Sequence, residues 1–295
     1  MAKPERAATN LLPRGTAHRV SPYLYLAAVL WGLSLLLTDC APRRVAPVIP
    51  PEELSAERVV DYLSRRGGTL EALEARVELQ SFGLSQPAPK LVGGLRILRQ
   101  EDELHLEVQA YLPLGAPAFD LIAQGPRYQL FLPSEKRYYA NSPDLFFGRV
   151  PAEVVTEETA TYGFPTELFY DQLGLIFGQL PLSGAEYQLV QTREQLILEE
   201  YREGALLRRI FLDPRSLYFQ GLEAGEARVE FSPGPRRRPD AFAWIPRQIT
   251  LLQQGVGFQL TLSQLQVNPP ARPAILFREP GDFKLYLIEP KPPLP

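Results

Sequence analysis

The sequence predicts a mainly β protein with few helices, built on an antiparallel sheet that curls on itself. Three observations carry this. Between Leu104 and Leu132 apolar and polar residues alternate with a period of two: Leu104, Leu106, Val108 and Ala110 against His105, Glu107 and Gln109, then Phe119, Leu121 and Ala123, then Tyr128, Leu130 and Leu132. That period gives a strand one apolar and one wet face. Thirty prolines in 295 residues break the chain too often for long helices. After Pro181 the apolar residues recur at strand spacing nearly to the C-terminus. Nine or ten short strands are expected, too many to stay flat.

In chain order, Arg14, His18 and Arg19 precede a charge-free run from Tyr23 to Leu37, which reads as a secretory signal, too short to span a membrane comfortably. It ends Leu37-Thr38-Asp39-Cys40. This resembles the lipobox of bacterial lipoproteins, and the resemblance implies that Cys40 is acylated. Asp39 stands where the lipobox has a small residue. Cys40 is the one cysteine, so the chain has no internal disulfide. Residues 41–51 hold four prolines and read as an extended tether. Residues 52–66 fit a helix, with Glu52 and Glu53 at its positive end, Arg65 and Arg66 at its negative end, and Gly67-Gly68 ending it.

From Leu70 the pattern is strand-like. Pro133 to Asp144 reads as a turn-rich connection, and Thr166 to Gln179 as a second helix carrying Leu168, Phe169, Leu173, Ile176 and Phe177. Strands follow around residues 189, 196–198, 206–212, 217–222 and 226–231. Then comes a long pair, 242–254 and 256–267, joined at Gly255. In its second member the apolar phase slips at Leu265 and Val267, which predicts a bulge. Phe283 to Ile288 closes the series. The organisation is therefore a signal over 1–40, a tether over 41–51 and one domain over 52–295.

The hairpin tip is the chain's oddity. Tyr111-Leu112-Pro113-Leu114-Gly115 supplies the fixed and the permissive φ of a tight turn, yet places two leucines where polar residues are usual. A strand, Pro-Leu-Gly, a second strand and a glycine turn at Gly125 resemble the LolB family, the outer-membrane receptor for lipoproteins. The likeness spans about residues 70–268. It implies an incomplete antiparallel β-barrel of the LolA/LolB kind, with a helical lid over an apolar hollow. On the same ground, Leu112 and Leu114 would form a membrane-insertion loop. Leu106, Val108, Phe119, Leu121, Phe258 and Leu260 would line the hollow. The resemblance also implies a monomer on the periplasmic face of the outer membrane, held there by its lipid anchor, with acylated lipoproteins and a periplasmic LolA-like carrier as partners.

The residues themselves offer no catalytic chemistry. With His18 in the signal and His105 on a strand's polar face, neither a zinc site nor a Cys–His pair can form. No G-x-S-x-G and no phosphate-cradling loop is present. Glu199 and Glu200 are adjacent in a strand and face opposite ways. A net charge of −3 gives no reason to expect nucleic acid. No enzyme, cofactor or metal is expected. Two functions compete: a carrier that binds acyl chains and inserts lipoproteins, and an interaction lipoprotein using the same fold as a scaffold.

Overall fold

A computed structural model describes residues 48–83, 89–101, 103–156, 173–180, 184–192, 194–232, 242–253 and 255–289. Cys40, most of the tether, residues 166–172 and Arg236 to Arg238 lie outside the described residues. The chain divides into two compact units, Met1–Val45 and Ala46–Pro295, and everything described belongs to the second. No helix among the described residues is long and apolar enough to cross a membrane.

The described domain begins docked rather than extended: the Val48 N–H donates to the Arg215 carbonyl at 2.9 Å, and Ile49 packs on the core. A 3-10 turn, Pro51–Glu53, precedes helix α1, Ala56–Gly68. The helix starts later than expected because Ser55 caps it, accepting from the Arg58 N–H at 3.3 Å. It also runs through Gly67-Gly68 instead of stopping there. Val59, Val60, Leu63 and Gly67 form its buried stripe.

Fifteen strands follow among the described residues: β1 (Ala72–Phe82), β2 (Leu91–Gln100), β3 (Glu103–Tyr111), β4 (Pro117–Gln124), β5 (Arg127–Leu132), β6 (Arg137–Ala140), β7 (Glu153–Thr156), β8 (Glu186–Gln191), β9 (Leu196–Arg202), β10 (Ala205–Leu212), β11 (Phe219–Ala224), β12 (Ala227–Ser232), β13 (Gln248–Gln253), β14 (Val256–Val267) and β15 (Lys284–Glu289). They make one sheet in the order β7-β15-β6-β5-β4-β3-β2-β1-β14-β13-β12-β11-β10-β9-β8. Its end strands do not pair, so the sheet is unclosed. Fifteen exceeds the nine or ten strands expected; among them β6 and β7, each four residues long, are too short to show alternation. The sheet is not wholly antiparallel either: β15 pairs parallel with both β6 and β7. Phe242 to Pro246, read as strand, form a turn, and β13 begins two residues after the proline.

Curvature follows from α1. That helix packs against β8 at the sheet's edge, while Arg99 of β2 donates to the Leu70 and Gly67 carbonyls at its C-terminal end. On a flat sheet, β2 and β8 would stand about 38 Å apart at ~4.8 Å per strand. A 13-residue helix is only ~20 Å long, so the sheet curls around it. The phase slip in β14 is a bulge: Arg76 pairs with Ser263 but Glu74 with Gln266, and the extra residue is taken up at Gln264, φ 49°.

One apolar cluster fills the inner face, from Leu198 and Ile210 through Ile249 and Val77 to Leu106 and Tyr139. The outer face is not uniformly wet. Residues 269–283 cross it as a strap, burying Ile275 against Leu98 and Ile122. Glu107, expected on a solvated face, is 6% exposed beneath it.

Candidate lipid-contacting face

A hollow opens on the inner face where β1, β2, β3, β4 and β14 meet. Of the residues expected to line it, Val108, Phe119, Leu121 and Leu260 form its walls, with Leu79, Leu91 and Ala110 beside them. Leu106 lies deeper, within the packed core. Phe258 is half-buried on the same face, opposite Ser81, next to the Leu79–Leu260 pair. The hollow is shallow, with room for about one water molecule, and its walls are apolar throughout. Gly93 is the residue that sequence reasoning passed over. It sits between Val77 and Ala110 in register, on the inner face, and a Cβ there would run into the Gln109 carbonyl and Ala110. A glycine inside a strand is the local signal that marks such an approach.

The β3–β4 hairpin ends just beyond the hollow. Gly115 (φ 83°) donates to the Leu112 carbonyl and Leu112 to the Ala116 carbonyl, both at 2.8 Å. This tight closure turns Leu114 outward, 99% exposed. Leu112 is half-buried rather than exposed, so the tip presents one leucine where two were expected.

The segment 173–180 packs on α1. Its helical part covers 173–176, short of the Gln179 expected, and Gly178 (φ 71°) follows; residues 166–172 of the expected helix lie outside the described residues. Phe177 is fully buried. A Cβ on Gly67 would collide with the Gly178 backbone, which explains why α1 keeps a glycine in its last turn. Arg99 donates to the Phe177 carbonyl and Ser64 to the Leu180 carbonyl, tying the two segments together.

Two polar groups interrupt the inner face. Glu200, wholly buried, accepts from Arg208 Nε at 2.6 Å, but its Oε1 has no partner. Its neighbour Glu199 points the other way, to Arg209 at 2.8 Å. Arg66, in the last turn of α1, lies among four rings. Its guanidinium carbon is 4.7 Å from the Trp244 ring centre, 5.3 Å from Tyr62, 5.4 Å from Phe219 and 5.8 Å from Tyr218. Nε, Nη1 and Nη2 are all buried without a hydrogen-bond partner. Cation–π contacts return about 0.5–2 kcal/mol each, against several kcal/mol to desolvate the ion. Burial accordingly pulls the guanidinium below its ordinary value, and Tyr62 and Tyr218 offset that in part. The Tyr62 hydroxyl is near enough to favour the charge but makes no bond of proper geometry to it.

His105 is half-buried with Nδ1 unpartnered, not the surface residue its polar face suggested. Among the described residues no three His, Cys, Asp or Glu side chains come together. The inner face is a packed apolar surface interrupted by a few buried charges.

A curled, unclosed, mainly β sheet with few helices is the fold class expected, and solved structures share it. The chain is similar to a DUF1329 family protein from Desulfovibrio piger, 10% identical with a TM-score of 0.52, over 74% of this chain and 95% of that one. At this identity the likeness shows the fold alone. A Vibrio parahaemolyticus domain named for outer-membrane lipoprotein sorting is 13% identical over 74% and 95% of the two chains, TM-score 0.47. A LolA superfamily protein from Nitrosomonas europaea is 10% identical over 74% and 96%, TM-score 0.42. Both scores fall below the level at which a likeness carries an argument. No family model matches the sequence, and no curated protein does.

Proposed function

We propose that this chain is a lipid-anchored envelope protein that shelters acyl chains of lipoproteins against its inner face and helps insert them into the outer membrane, as a LolB-like receptor would. The observation that carries the reading is that the hollow and the outward leucine share one hairpin. Ala110 and Phe119 are cross-strand partners that wall the hollow, and Leu114 caps the turn between them. Cargo held in the hollow would therefore meet the membrane at Leu114. Burying that leucine at the bilayer boundary contributes roughly 1.5–3 kcal/mol, enough to bias docking and too little to anchor. In this reading Cys40 carries the lipid anchor, a LolA-like carrier delivers the cargo, and the site is periplasmic. Transfer between apolar environments needs neither cofactor nor catalysed step.

An interaction lipoprotein is the second reading. The small hollow favours it, since the inner face is closed by side chains and the space left, room for about one water molecule, is far below the roughly 300–1,000 Å3 of ligand sites. A transfer assay with lipoprotein-loaded protein and liposomes separates the two. Leu114→Glu should fold and load as the parent does while delivery falls several-fold. Equal delivery by both, or failure of the parent to load, would remove the insertion role.

A further inference from the structure

The Arg66 guanidinium is buried without a hydrogen-bond partner. It presents five N–H donors, and none finds an acceptor. The four rings around it supply faces, not acceptors in line with those donors. No carboxylate of the described residues pairs with it, whereas the buried Arg208 is paired with Glu200. The cage is built by three separated pieces of chain: Tyr62 one turn earlier on α1, Tyr218 and Phe219 at the start of β11, and Trp244 in the turn before β13. Phe219 and Trp244 belong to the core cluster, so the walls are held from behind. Tyr62 and Tyr218 are half-buried and form the side nearest solvent.

We propose that this cage is an oxyanion site, in which Arg66 takes a carboxylate or phosphate group by paired charge-assisted hydrogen bonds. A planar oxyanion matches the guanidinium fork, and a dry aromatic setting strengthens each bond it makes. All three guanidinium nitrogens are buried, so the anion reaches them past Tyr62 and Tyr218, the half-buried side of the cage. Such a group could come from a lipid headgroup or from a free anion, and the chemistry at Arg66 is the same for both. The site goes beyond lipid sheltering and does not depend on it, because the hollow is lined by other residues.

The test uses the full chain in an uncharged maltoside detergent. Trp31 is replaced by phenylalanine, so that Trp244 is the one tryptophan and reports from inside the cage. Inorganic phosphate, octyl phosphate and octanol are titrated against this protein and against its Arg66→Met and Arg66→Lys forms, and the difference between forms cancels partition into micelles. Phosphate or octyl phosphate should perturb Trp244 fluorescence saturably. Arg66→Met should weaken that binding at least tenfold, and Arg66→Lys, lacking the fork, should fall between. Preference for octyl phosphate over phosphate assigns the site to a headgroup, and equal binding assigns it to a free anion. Octanol, which carries no oxyanion, should not distinguish the three forms. Removing an unpaired buried charge should leave the Tm of Arg66→Met at or above the parent's. Anion binding that is absent, or equal in parent and Arg66→Met, overturns the proposal. So does an Arg66→Met form that melts well below a parent whose Tm no anion raises, because Arg66 would then be a structural plug for the cage.

Discussion

On the inner side of β3, Leu106 sits opposite Ile97 and Ala123 and is 1% exposed. One residue on, Glu107 faces the other way and is nearly as buried. Leu106 is held by apolar contact on all sides, which is additive and indifferent to direction. Glu107 is held by direction: Arg96 Nη1 reaches it at 2.7 Å, and Arg278 of the strap bridges it to Asp120. The strap is fastened further by Arg96 to the Pro273 carbonyl at 2.7 Å and Gln124 to the Ile275 carbonyl at 2.8 Å. An inner face made of non-directional contacts can exchange one apolar partner for another, as a lipid-contacting surface must. An outer face made of fitted charges admits only the strap that matches it.

The largest expected effect is on the inner side. Leu106→Ala should lose about 2–5 kcal/mol, read as a lower denaturation midpoint at unchanged slope. A loss well under 1 kcal/mol would mean that the inner face collapses into the gap and repacks freely.

Glu107→Gln should cost less, about 1–3 kcal/mol, because it weakens two charged partners without opening a cavity. The two faces should part most clearly in salt. The side chain of Arg278 is 44% exposed, so its attraction to Glu107 is open to screening, and in 1 M salt the Debye length is only ~3 Å. The cost of Glu107→Gln should shrink there while that of Leu106→Ala stays. Equal salt response from both variants would erase the distinction between the faces.

The same distinction decides what was legible in the sequence. Alternation marks the inner face directly, so the strands from Leu104 to Leu132 and the β14 bulge could be read, while the hollow was expected from the resemblance and not from the pattern. The outer face could not. Glu107 looks solvated until Arg278, 171 residues on, is placed beside it, and alternation carries no information about distant partners. The strap has no period of its own, and the four-residue strands β6 and β7 are recruited by β15 rather than by their own pattern. Gly93 and Gly67 are visible as glycines, but what each leaves room for comes from a strand or helix elsewhere. The Arg66 cage joins three separated segments, and only Tyr62 and Arg66, four apart on α1, share a face that helical spacing reveals.

The smallest effect is expected at Asp120, and its sign is the informative part. An acid paired with Arg278 would ordinarily be held below its usual range. Here burial under the strap raises Asp120, Arg278 pulls it back only in part, and Glu107 raises it further. The folded chain therefore keeps this proton to higher pH than the unfolded chain does. Between the ordinary value and the raised one the folded state binds more protons, so this group's contribution to stability falls as pH rises through that window. Asp120→Asn should remove that fall. At neutral pH it should leave Tm within about 2–4 °C of the parent, the equivalent of roughly 1 kcal/mol in a domain of this size, because Arg278 keeps Glu107. Thermal melts of both proteins from mildly acidic to neutral pH check this. A neutral-pH loss as large as that of Glu107→Gln would show that pairing outweighs burial at Asp120, and that the strap is fastened by two carboxylates of equal weight rather than by Glu107.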